Sequence, residues 1–97
     1  MVIWSGPAKA DLRAIHDFIA HDSKFYARKV LQDIIEKSEV LGALPRSGRV
    51  VPELGEQDVR EIAVHTYRII YETRGTDCYV LAVIHKRREL RSESIER

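Results

Sequence analysis

The sequence predicts an α+β domain: a helical hairpin packed on one face of a mainly antiparallel four-stranded sheet, in the order β-α-α-β-β-β. Three observations carry this. Two apolar stripes at helical spacing follow one another with only two or three residues between them. Three strand-like runs come after them, the last two separated by a glycine turn. A short apolar segment precedes the first helix.

Met1-Val2-Ile3-Trp4 reads as the first, short strand. Ser5 or Gly6 can cap a helix, and Pro7 fits its first turn, where a missing N–H is no loss. Ala8, Leu12, Ile15 and Ile19 then recur at steps of four, three and four, with Phe18 widening the stripe. His21-Asp22-Ser23 breaks the pattern, and Asp22 or Ser23 can cap a second helix. Ala27, Leu31, Ile34, Ser38 and Leu41 form its stripe, broadened by Val30 and Ile35. Gly42 and Pro45 supply the stop. So short a connection makes the helices antiparallel.

Arg46 to Asp58 reads as a loop, with glycines, a proline, five charges and one apolar pair, Val50-Val51. Three strands are expected next: Val59–His65, Tyr67–Thr73 and Cys78–His85. Leu81-Ala82-Val83-Ile84 is apolar at every position, as suits a central strand covered on both faces. In the second run, Tyr67, Ile69 and Tyr71 share one face, and Arg68, Ile70 and Glu72 share the other.

Composition narrows the function classes. The chain has 97 residues, 44% hydrophobic and 32% charged, with a formal net charge of +1, so strong non-specific attraction to nucleic acid is not expected. The last thirteen residues are mildly basic, with five cations against three acids. The lone Cys78 precludes an internal disulfide and reads as a core residue in a reducing compartment. No apolar run approaches the ~18 residues of a membrane span, and the N-terminus lacks a signal-peptide pattern, so a cytoplasmic protein is expected. No phosphate loop, CxxC or HExxH is present, and the four histidines lie apart. No metal or cofactor is expected.

One constellation remains. His65 and His85 end two of the predicted strands, and Arg68 begins the strand between them. If the strands form a meander, Arg68 and His85 become neighbours. An arginine and a histidine together can hold a phosphate and move a proton, the chemistry of RNA cleavage. The opposing reading makes Arg68 structural, stacked on a tyrosine or paired with Glu61 or Glu72 across the sheet.

The segments VIWSGPAKADLRAIHDFIA, LPRSGRVVPEL, VREIAVHTYRIIYE and VLAVIHKRREL, in this order, resemble toxins of the ParE/RelE superfamily, on the ParE side. The resemblance covers the chain from Val2 to about Leu90, which makes residues 1–90 a single toxin domain and residues 91–97 a charged tail. It implies the toxin of a type II toxin–antitoxin pair, causing growth arrest and serving plasmid stabilisation. The partner would be a ParD-like antitoxin that folds around the toxin in a hetero-oligomer, with a toxin dimer inside the complex as one arrangement. ParE-like members trap DNA gyrase, whereas RelE-like members cut mRNA on the ribosome, and a shared fold does not choose between them.

The ParE side implies no catalytic residues. Lys86, Arg87, Arg88 and Arg91 would then contact gyrase or its DNA. The RelE alternative would use Arg68 as phosphate clamp and His85 as acid or base. The antitoxin would cover the sheet edges and an apolar part of the hairpin, including Phe25, Tyr26, Val30 and Ile35.

Overall fold

The computed structural model describes residues 1–91, 93 and 95. Strand β1 (Val2–Trp4) leads into helix α1 (Gly6–Ala20) and helix α2 (Lys24–Glu39). A short 3-10 turn at Val40–Gly42 follows, then strands β2 (Arg49–Val50), β3 (Val59–Val64), β4 (Tyr67–Arg74) and β5 (Asp77–His85).

Both helices start where a serine satisfies a free backbone donor. Ser5 Oγ accepts from Ala8 N at 3.1 Å, and Ser23 Oγ accepts from Tyr26 N at 3.1 Å. Ser5 also donates to the Leu81 carbonyl at 3.3 Å, so the cap of α1 is tied to the sheet.

The sheet has five strands in the order β1-β5-β4-β3-β2. Only β1 runs parallel to its neighbour, β5; the helical hairpin carries the chain from β1 across the sheet to β2 on the far edge, and the antiparallel strands then lead back to β5. The other pairings are antiparallel. The two-residue β2 is an addition to the four strands expected: Arg49 and Val50 pair with Glu61 and Arg60. Two residues are too few to show an alternating pattern.

Alternation along β4 places its side chains as anticipated. Ile69 and Tyr71 meet the helical side, and Arg68 and Ile70 the outer side. Along β5 the alternation breaks once. Ile70 pairs with Ala82 and Tyr71 with Val80, leaving Leu81 as an extra, bulged residue. Leu81 and Ala82 therefore both join the outer cluster, between Val80 and Val83 on the helical side.

Ala8, Val30, Ile34, Val64, Ile69, Val80 and Val83 form the core beneath the helices. A completely buried isoleucine such as Ile34 or Ile69 contributes roughly 1.5–3 kcal/mol. The outer cluster contains Val51, Val59, Ile70, Leu81, Ala82 and Ile84, covered by Leu90 and Ile95. So β5 is covered on both faces, though the outer cover is loop and C-terminal chain rather than helix. Ile95 packs its apolar side chain against the outer face. Ser92, Ser94, Glu96 and Arg97 lie outside the described residues.

The two sides of the sheet are finished differently. Beyond β1, the open side of β5 faces α1, and Asp11 Oδ2 accepts from Val83 N at 2.9 Å. Burial pushes this carboxyl up, opposed by that hydrogen bond. On the other side, β2 reaches only Arg60 and Glu61. Among the described residues, Ile62–Val64 have no strand beyond them.

The loop before β2 is pinned by a tyrosine. The buried Tyr71 hydroxyl accepts from Gly48 N at 3.0 Å and donates to the Pro45 carbonyl at 2.8 Å. A side chain at Gly48 would meet the same hydroxyl at 2.6 Å. Replacing Tyr71 with Phe strands the buried Gly48 donor, and denaturant unfolding is expected to show a loss of ~1–3 kcal/mol. An unchanged midpoint would mean that water takes the hydroxyl's place.

Candidate functional site

Arg68 lies on the outer face of β4 and is 6% exposed. Its register partner Ala63 is small, which leaves room for a long side chain to lie across the sheet. Glu61 projects from the same face of β3, opposite Ile70. Glu53 arrives from the turn after Val51, where Leu54 N and Gly55 N both bond the Val51 carbonyl.

The guanidinium is fully used. Nε donates to Glu61 Oε1 at 3.0 Å. Nη1 donates to Glu53 Oε2 at 2.8 Å and to the Arg88 carbonyl at 3.1 Å. Nη2 donates to Glu53 Oε1 at 2.8 Å and also to Glu61 Oε1. An arginine side chain has five N–H donors, and here each has a partner. Glu61 is held from its other oxygen by Arg49 Nε at 2.9 Å. Glu53 Oε2 also accepts from Leu90 N at 2.9 Å. The network therefore joins β2, β3, β4, the 51–54 turn and the C-terminal segment.

Electrostatics follow from the contacts. The hydrogen bonds from Arg68 hold the Glu53 carboxyl down at about 2, against the opposing cost of its partial burial. The same pairing raises Arg68 still further above its ordinary range.

The Arg68–His85 pair that the nuclease alternative would use is not formed. His85 is the register partner of Tyr67, and its ring meets Tyr67 edge-on at 5.9 Å. Tyr67 packs toward the helices, whereas Arg68 faces outward. Adjacent residues of a strand point to opposite faces, so the arginine and the histidine are separated by the sheet itself. His65 also turns away. It occupies the tight β3–β4 turn with φ of 54°, and its Nε2 lies 2.7 Å from Asp33 Oδ2 on α2. That contact is the largest cause of the lowered Asp33 carboxyl.

The basic residues after β5 form an exposed turn. Lys86 N donates to the Thr66 carbonyl at 2.7 Å, and Arg88 N to the His85 carbonyl at 3.0 Å. Lys86, Arg87, Arg88 and Arg91 are exposed along one stretch of chain. Lys86 also lines a groove of about 810 Å³ with Lys37, Val40, Arg49 and Ala63. This groove runs from the end of α2 past the uncovered part of β3 to the outer face, where Glu53, Glu61 and Arg68 also line it.

The four apolar residues expected to meet an antitoxin are not one surface. Phe25 is 80%, Tyr26 50% and Ile35 40% exposed. Val30 is 0% exposed and belongs to the core under the helices, because its place on α2 falls within the buried stripe. Tyr26 and Ile35 are nine positions apart, about half a turn around the helix, so they lie on opposite flanks of α2. Val40 and Leu44, exposed and not singled out by the sequence, extend the apolar surface past the end of α2.

Cys78 is buried, with Sγ 3.4 Å from the Leu41 carbonyl, and burial pushes its thiol up, away from reactivity. Glu53 is the residue that sequence reasoning missed. It sits in a loop without periodicity, and only its place inside LPRSGRVVPEL marked it.

Removing one partner of a buried pair leaves an uncompensated charge. Arg68→Ala is therefore expected to cost ~3–5 kcal/mol in denaturant unfolding at neutral pH. Glu53 adds a pH signature. Its folded carboxyl titrates at about 2, below its ordinary 4.5, so its contribution is complete above 4.5 and is lost as pH falls towards 2. Glu53→Gln should flatten the stability profile in that window. An unchanged profile would mean that Glu53 is not paired in solution.

Comparison with known proteins bears on what this arrangement serves. No match is found among curated proteins. A solved structure described as the chromosomal ParDE TA system from P. aeruginosa aligns with a TM-score of 0.72 and 24% identity, covering 87% of this chain and 92% of that one. At that identity the likeness shows the fold. The family model described as "ParE toxin of type II toxin-antitoxin system, parDE" matches residues 2–90, nearly the whole chain. This chain belongs to the ParE family of toxins.

Proposed function

We propose that this ParE-family toxin acts by binding DNA gyrase and trapping it with cleaved DNA, and that a ParD-like antitoxin neutralises it. The observation that carries the non-nuclease reading is the closed hydrogen-bond set of Arg68. A phosphate clamp needs free donors, and here both carboxylates would have to leave first. The placement of His85 on the opposite face supports the same reading. The chemistry offered to a target is instead the exposed cationic stretch of Lys86, Arg87, Arg88 and Arg91. Such a stretch suits a contact with gyrase or with the phosphates of its bound DNA.

The antitoxin reading rests on exposed apolar surface. Tyr26 and Val40 lie on the flank of α2 that faces β3, beside its uncovered end. An added strand or an amphipathic helix fits there, and Phe25 and Ile35 offer further contacts around the helix. The expected assembly is a hetero-oligomer, with a toxin dimer within it as one arrangement. A reducing cytoplasm is the compartment this reading requires.

The test is supercoiling by purified gyrase with the chain titrated in and cleaved DNA scored on the same gel. Inhibition with accumulated cleaved DNA is expected. Replacing Lys86, Arg87, Arg88 and Arg91 together with alanine should abolish the effect and leave antitoxin binding intact. No inhibition by folded, antitoxin-binding protein would reject gyrase and turn attention to the ribosome.

A further inference from the structure

We infer that Arg68 and Glu53 form a clasp that positions the basic C-terminal segment, so that a residue of the outer sheet face and a residue of the 51–54 turn set how the target-contacting cations are presented. The functional half of this inference rests on the target role proposed for that segment.

Two hydrogen bonds make the clasp, and they grip backbone rather than side chain. Arg68 Nη1 donates to the Arg88 carbonyl at 3.1 Å, and Glu53 Oε2 accepts from Leu90 N at 2.9 Å. They fall on either side of Glu89, so the chain is held from both its donor and its acceptor groups. The Arg88 and Arg91 side chains stay exposed while the backbone between them is fixed. Leu90, almost fully buried, plugs into the outer cluster at the same point. A third backbone bond, Lys86 N to the Thr66 carbonyl at 2.7 Å, fixes the near end.

The two grips are coupled. The same Nη1 that holds the Arg88 carbonyl also donates to Glu53 Oε2, the oxygen that receives Leu90 N. Loss of either side chain therefore loosens both contacts. Glu61, itself held by Arg49, buttresses the arginine from the other side. A flexible cationic strand loses entropy on docking, and pre-ordering it removes part of that cost.

The test uses the full chain with Glu53→Ala, which removes the acceptor, and Glu53→Gln, which keeps an acceptor without charge. The first readout is amide hydrogen exchange. Leu90 protection is expected to fall about tenfold or more in Glu53→Ala, beyond any fall shared with the Ile70 and Val83 amides through global stability, which is what losing a charge-assisted hydrogen bond implies. Glu53→Gln should fall between the two. Unchanged Leu90 exchange in both variants would overturn the clasp. The second readout is the dose of toxin needed to accumulate cleaved DNA with gyrase. It is expected to rise in the same order of variants while antitoxin affinity holds, a split that general destabilisation does not produce. Loosened exchange with an unchanged dose would overturn the positioning role. Failure of the unaltered chain on gyrase would sink the target reading, and the clasp would then stand or fall on the exchange data.

Discussion

A guanidinium placed on an apolar sheet face must bring its counter-charges with it. Moving the ion out of water costs several kcal/mol, and only well-directed partners offset that. Arg68 meets the requirement with two carboxylates from different parts of the chain. Glu61 is a neighbour by strand register, but Glu53 must be delivered by the 51–54 turn. Once there, it accepts from Leu90 and so draws the C-terminal segment across the outer cluster. The cover on that side of the sheet therefore depends on satisfying one charge.

The same economy separates two chemistries on one fold. An arginine in this strand is available for phosphate only if its neighbours leave donors free. Here the neighbours are carboxylates, and the nearest histidine in the adjoining strand is turned to the other face. Fold likeness alone carries no such information, because what distinguishes a clamp from a strut is whether neighbouring groups leave the guanidinium donors free.

Much of the architecture was legible from periodicity. The stripes of Ala8–Ile19 and Ala27–Leu41 mark the helices, and the alternation of Tyr67–Glu72 fixes which side chains face the hairpin. Legibility fails where the signal is short, uniform or non-local. Strand β2 is two residues long. The bulge at Leu81 hides in a run that is apolar throughout, so a shift of face leaves no trace. Val30 widens the stripe without leaving it, and sequence does not say how much of a wide stripe is covered. The proximity of Arg68 and His85 was an inference from strand order, and it failed because register decides faces as well as neighbours. Glu53 belongs to a contact fifteen positions long in sequence, made by a loop with no pattern.

The unequal finish of the sheet has a consequence for growth. On one side the edge strand β1 has three residues, and beyond it Asp11 occupies the Val83 amide that another chain would need. On the other side Ile62–Val64 remain open. A filament built by edge-to-edge stacking needs two adhesive rims, one for each neighbour. Each open stretch is three residues long, and what sets the two sides apart is Asp11, which occupies the amide beyond β1. A strand that joins Ile62–Val64 therefore meets no matching rim beyond β1 on the far side along which the stacking could extend.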